Sequence, residues 1–187
     1  MERALVLSER SLRVSRVTAV ILGAALVAAA AQIAVPLPGT PVPMTLQPLA
    51  VLLVGGLLGA RLGAASMVLY LALGIAGLPV FTPTVPLLGI ARLLGPTGGY
   101  LLAYPVAAFA VGALARDGKP WTRVALAVAA GLALIHLGGL AQLMILTGNL
   151  QAAARFGTLP FLLGDLGKLA LAVPVLTTMI GPVRARL

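Results

Sequence analysis

Long unbroken apolar runs, separated by short polar or proline-rich segments, set the pattern of this chain. A helix that crosses a bilayer needs about 20 predominantly apolar residues, in a range of roughly 17–25. Runs near that length lie at residues 17–35, 46–60, 62–78, 97–115, 124–146 and 159–180. They predict an all-α integral membrane bundle of six transmembrane helices, with residues 1–187 forming a single domain. The second run is short. It meets the third at Arg61, flanked by Gly59 and Gly63, which predicts a tight helical hairpin. Transmembrane strands would alternate apolar and polar residues over about 10 positions. Here the runs are continuous and rich in Ala, Leu and Gly, which reads as helix.

Composition strengthens this picture. Hydrophobic residues make up 60% of the chain and charged residues 9%, where about 25% charged is usual for soluble proteins. So few charges cannot cover a water-facing surface, so most of the exterior is predicted to face the lipid bilayer. The net charge of +9 does not indicate nucleic acid. The basic residues lie between and beside the apolar runs, with only eight aromatic residues to interleave with them, which is not a nucleic-acid footprint. With no cysteine, a disulfide framework, a thiolate nucleophile and a zinc-cysteine site are excluded.

The distribution of charge predicts orientation, because Lys and Arg in short loops favour the cytoplasm. Arg3, Arg10, Arg13, Arg16, Arg61, Arg116, Lys119, Arg123, Arg184 and Arg186 fall on one side of the six-span layout. The other side holds Arg92 and Arg155, and Lys168 lies within the last run. Both termini are therefore expected in the cytoplasm, and the chain in the cell inner membrane. Ala28 to Ala31 resemble a signal-peptide cleavage site, but the first apolar run exceeds the roughly 7–15 residues of a signal-peptide core. It is read as a retained span. Trp121, in the basic loop 116–123, reads as an interfacial anchor.

Chemistry is sought where charge survives inside the membrane, since intramembrane ionisable residues are costly and mark function. Asp165 and Lys168 occupy the stretch Leu163-Gly-Asp-Leu-Gly-Lys-Leu169. Their i, i+3 spacing puts both on one helix face, where each neutralises the other. Gly164 and Gly167 thin the helix beside them. The pair either faces a binding site in the bundle interior or locks two helices together. Arg92 stands in an outward loop with no other charge, as a solvated loop residue or as a bidentate partner for a carboxylate. Gly95-Pro-Thr-Gly-Gly follows it and precedes a helix start, whose free N–H groups could hold an anion. It lacks the spacing and lysine of a P-loop, and no nucleotide site is read there.

Residues 35–48 form a stiff apolar segment with five prolines, either a lid over the bundle or a plain connector. Its polar groups are Thr45 and Gln47, and the latter can both donate and accept toward a ligand. His136, the only histidine, falls within a span. No second histidine or cysteine accompanies it, so a helix-to-helix hydrogen bond is expected and a metal is not. Gln142 and Asn149 are ambiguous. Ala24, Ala25, Ala28 and Ala29 give overlapping small-xxx-small pairs, as do Gly55 and Gly59, suited either to internal packing or to a partner. An intramembrane enzyme using Asp165 or His136 as acid/base is a competing class, as is a purely structural subunit. One intramembrane carboxylate, far in sequence from the one histidine, and no Ser or Cys constellation argue against catalysis. No cofactor is expected.

The series Pro41-Val-Pro-Met-Thr-Leu-Gln47, Gly77-Leu-Pro-Val-Phe81, Gly95-Pro-Thr-Gly-Gly-Tyr100 and Gly164-Asp-Leu-Gly-Lys168 resembles the BioY family. These are the biotin-binding S-components of energy-coupling factor (ECF) transporters. The likeness covers nearly the whole chain in the same order, with one departure. Thr82-Pro-Thr-Val-Pro86 stands where many relatives run glycine-rich, and no site residue is carried over from there. The resemblance implies a transporter subunit that takes up biotin from the outer side. Asp165 would accept from a ureido N–H, Lys168 would donate to the ureido oxygen, and Arg92 would pair the tail carboxylate. Thr45, Gln47, Tyr70 and Tyr100 would line the pocket. It further implies a transmembrane coupling protein, met by the alanines of the first span, and two cytoplasmic ATPases that hydrolyse ATP. An S-component for another small vitamin is the nearest alternative.

Overall fold

The computed structural model describes residues 2–187, with side chains from Leu12 onward. The side chains of Arg3 and Arg10, used above in the charge asymmetry, lie outside the described residues. Helix α1 runs Glu2–Gln32 and leads into a two-stranded antiparallel hairpin, β1 (Ala34–Val35) and β2 (Met44–Thr45). Then follow α2 (Gln47–Leu58), α3 (Ala60–Ile75), the short α4 (Ile90–Leu94), α5 (Gly98–Leu114) and α6 (Trp121–Thr147). The chain ends in α7 (Leu150–Gly157), a single 3₁₀ turn (Leu159–Phe161) and α8 (Leu162–Arg184).

Among the described residues, three helical stretches are long and apolar enough to cross a membrane: Leu12–Gln32, Trp121–Thr147 and Leu150–Arg184. Three shorter apolar helices, α2, α3 and α5, have 12, 16 and 17 residues. At about 1.5 Å per residue they reach roughly 18, 24 and 26 Å, less than the ~30 Å of a hydrocarbon core.

The α2–α3 hairpin is as tight as its glycines suggest. Gly59 alone joins the two helices, at φ +82 and ψ 172, with its N–H donating to the Gly55 carbonyl. A side chain is strained at that φ, whereas glycine is not. Gly55 then packs directly on the Ala108 backbone of α5, so the Gly55 pair serves internal packing. Helices α5 and α6 form the most extensive helix pair.

A further short helix, α7, precedes the last apolar run, and the break falls just before residue 159: Thr158 leaves helical geometry (φ −124, ψ −57), and Pro160 lies in the 3₁₀ turn that leads into α8. Proline lacks an N–H and cannot continue the preceding helix. Asn149 starts α7 as its N-cap, with Oδ1 accepting from the N–H groups of Gln151 (2.8 Å) and Ala152 (3.1 Å), the usual role of Asn there.

Two buried apolar clusters fill the bundle. One includes Val27, Val51, Tyr70, Tyr104, Ile135 and Phe161 and surrounds a cavity. The other, with Leu52, Val111, Val128, Ala172, Leu176 and Ile180, fills the end toward the C-terminus. Beyond it, Arg184 bridges helix ends, donating to the carbonyls of Gly56 (2.7 Å from Nη2) and Gly112 (3.0 Å). These are late carbonyls of α2 and α5, where a cation also suits the helix dipole.

Candidate substrate-binding site

The cavity and the space at its mouth that is open to solvent together come to about 590 Å³. Its wall is mostly apolar and draws on the 42–48 segment, α4, α5, α6, the 3₁₀ turn and α8. Of the seven substrate-site residues expected from sequence, six line it: Thr45, Gln47, Arg92, Tyr100, Asp165 and Lys168.

Asp165 and Lys168 are 7% and 6% exposed. The Lys168 ammonium donates to Asp165 Oδ1 at 2.7 Å. The second carboxylate oxygen, Oδ2, is 2.5 Å from His136 Nε2 on α6. Asp165 is thus held from two helices at once. His136 makes the helix-to-helix bond expected of it, but it also faces the cavity, which its lone position within a span did not reveal. Its partner lies 29 residues away, beyond any local spacing rule. Gly164 admits Met44 of β2, whose side chain lies about 3 Å from where a Cβ would stand, whereas Gly167 has open space there. The Tyr100 hydroxyl donates to the Gly157 carbonyl (2.5 Å), so its ring, not its hydroxyl, is what the wall presents.

Arg92 is not a solvated loop arginine. It is 1% exposed, because the 82–86 segment folds over it. Nη1 donates to the Val85 carbonyl (2.5 Å) and Nη2 to the Thr82 carbonyl (2.8 Å), while the guanidinium lies 5.9 Å from the Phe81 ring centre, within cation–π reach. Nε has no protein partner. Burial pushes its pKa down from the ordinary arginine value, opposed by the nearby Tyr70 and Tyr104 hydroxyls; arginine nevertheless stays charged near neutrality.

Tyr70 requires a correction. It is fully buried behind the wall rather than part of it. Its hydroxyl accepts from Gln47 Nε2 (2.6 Å) and donates to the Val80 carbonyl (3.2 Å). Gln47 Oε1 in turn accepts from Thr45 Oγ1 (3.3 Å). Tyr70 therefore orients Gln47 and leaves one amide hydrogen of it unspent.

The proline-rich segment forms the outer wall, with Val42 and Pro43 on the cavity. Thr40 Oγ1 donates to the Phe156 carbonyl at 2.6 Å, tying the segment to α7. At the glycine turn before α5, the Gly98 N–H donates to the Gly95 carbonyl, so that donor is not free for an anion. Gln142 settles there as well, donating to the carbonyls of Leu93 (3.2 Å) and Gly95 (3.4 Å). Thr97, Tyr104 and Phe161 also line the cavity and were not singled out from sequence. Thr97 Oγ1 is buried without a protein partner.

The alanine stripe of α1 divides. Ala24 is buried inside the bundle at 1% exposure and is removed as a partner contact, while Ala25 and Ala29 are exposed and Ala28 is half-buried. At 100° per residue, neighbours 24 and 25 cannot share one face.

The model of the BioY family matches residues 4–184. A probable biotin transporter BioY of Pyrococcus horikoshii is 39% identical over 170 residues, which is 91% of this chain and 99% of that protein. The biotin transporter BioY of Thermotoga maritima is 36% identical over 148 residues, 79% of this chain and 85% of that one. Among solved structures, the S-component for biotin from an ECF-type ABC transporter, a crystal structure at 2.1 Å, superimposes with a TM-score of 0.80. It is 28% identical, and the match covers 88% of this chain and 90% of the other.

Proposed function

The chain belongs to the BioY family, and on that premise we propose that it binds biotin from the outer side and mediates its uptake as the S-component of an ECF transporter. The observation that carries this reading is the polar design of one apolar cavity. A buried, mutually neutralising Asp165–Lys168 pair lies on its wall, and a second buried cation, Arg92, lies on a different element. Biotin has a cyclic urea at one end, an apolar thioether ring and chain, and a carboxylate at the other end.

In this reading Asp165 accepts from a ureido N–H and Lys168 donates to the ureido oxygen. Arg92 meets the carboxylate with donors not used by Val85 and Thr82, since a guanidinium carries five N–H groups. Thr45, Gln47 and the Tyr100 ring line the chain between, and Tyr70 supports Gln47 from behind. With Asp165 and Lys168 cancelling, Arg92 leaves the empty site with one net positive charge. The carboxylate brings it to zero, which lowers the cost of holding the loaded site in a low-dielectric surround.

We place six spans in the membrane, with both termini cytoplasmic and α7 joined to α8 in the last. The charge asymmetry supports that orientation. Trp121, 63% exposed at the start of α6, suits an interfacial position. The single domain spans residues 1–187 in the cell inner membrane. The working transporter would add a transmembrane coupling protein, meeting Ala25 and Ala29 of α1, and two ATPases in the cytoplasm, so that this chain is not itself an enzyme.

Calorimetric titration of the purified protein with biotin tests the reading. Saturable binding is expected, and the absence of any heat or affinity overturns it. A thermal-shift panel of other small vitamins distinguishes a related substrate, because only a bound ligand raises the melting temperature.

A further inference from the structure

Asp165 and Lys168 do not complete the recognition of a cyclic urea. That group offers two N–H donors and one oxygen, and so needs two acceptors and one donor. Lys168 supplies the donor and Asp165 one acceptor. The second acceptor must come from elsewhere on the wall. Because Asp165 already accepts from Lys168 through Oδ1, it is ionised, and the 2.5 Å contact at Oδ2 requires His136 to donate from Nε2–H. A neutral ring protonated at Nε2 is bare at Nδ1, and a neutral ring also keeps the cluster at zero net charge. Nδ1 is buried with no protein partner, on a side chain that lines the cavity. A buried polar atom left without a partner is costly.

We propose that His136 is a third recognition residue, its Nε2–H fixed by Asp165 and its Nδ1 accepting the second ureido N–H. This rests on the biotin reading above. Two neighbours hold the ring in place: Tyr100 lies edge-on to it with centroids 6.4 Å apart, and Phe161 lies at 6.4 Å on a tilt. The assignment also explains why a histidine stands within an apolar helix where glutamine would suffice merely to bind Asp165.

The chain contains one histidine, so protein labelled with histidine carrying ¹⁵N at the two ring positions only, and purified on a tag without histidine, reports two ring nitrogens and nothing else. In nanodiscs without ligand, the spectrum should show Nε2 protonated and Nδ1 bare. Saturation with biotin should move the Nδ1 resonance in the direction of an accepted hydrogen bond and leave Nε2–H in place. His136→Gln, which keeps a donor within reach of Asp165, should weaken biotin binding about ten- to a hundred-fold, with the ligand-free melting temperature near that of the wild type. An Nδ1 resonance unmoved at saturation, or protonated before biotin is added, overturns the proposal. So does wild-type affinity in His136→Gln. Failure of the wild-type protein to bind biotin at all would instead remove the biotin reading on which the proposal stands.

Discussion

Lys168→Met is the most informative single substitution. Methionine fills nearly the same volume without charge, so packing changes little and electrostatics dominate. In the wild type the ammonium is 2.7 Å from Asp165 Oδ1, and both residues are more than nine-tenths buried. Removing one member of a buried pair strands the other charge, at a cost of about 3–5 kcal/mol. Asp165 keeps His136 on its other oxygen, which puts the expected loss at the low end, ~3 kcal/mol. For a chain of this length each kcal/mol lowers the melting temperature by roughly 2–4 °C, so the ligand-free variant should melt about 6–12 °C lower. Asp165→Asn strands the ammonium instead and should be comparably unstable. The double variant, Asp165→Asn with Lys168→Met, strands no charge and should recover most of that loss. Biotin affinity behaves differently. Each single variant should lose about 1.5–3 kcal/mol of binding, and the double variant should not recover it. Thermal unfolding in detergent followed by biotin titration of all four proteins measures both quantities. Additive destabilisation in the double variant, or binding that recovers together with stability, would refute the reasoning that these charges are paired for folding and spent on the ligand.

Arg92→Leu should weaken biotin binding about ten-fold or more but have little effect on an uncharged biotin amide, which titration of both ligands decides; equal losses would remove the carboxylate assignment. Gly139→Ala should insert a methyl into the space of the Tyr100 ring, lowering stability by about 1–3 kcal/mol and weakening biotin binding with it, as seen in melting and titration. Arg184→Met leaves the Gly56 and Gly112 carbonyls short of a charged donor and should cost about 1.5–3 kcal/mol of stability, while biotin affinity of the folded protein stays unchanged.

The chemistry was more legible in the sequence than the geometry. Asp165 and Lys168 declare themselves because charge is rare in apolar runs and i, i+3 spacing places them together. Arg92 stood out as an isolated charge, although its burial did not, since that depends on the 82–86 segment folding back over it. His136 was visible as an anomaly, but its partner on another helix was not. Tyr70 was assigned to the wall and lies behind it for a related reason. Helices that are apolar all round carry no stripe to say which face turns inward, so rotation about the axis is set by packing. The same ambiguity merged Ala24 with Ala25. Asn149, which caps α7, and Pro160, in the turn before α8, are residue types that begin and interrupt helices, and they mark the break before α8.

The bridge made by Arg184 limits how this protein can work. Lys168 and Arg184 are sixteen residues apart on α8, about 24 Å along the axis, and the apolar cluster of Leu52, Val111, Leu176 and Ile180 lies toward the Arg184 end. The bundle is consequently a cup with a bolted base. Among the described residues, a route from the cup through its base would part α2, α5 and α8 and the guanidinium that ties them.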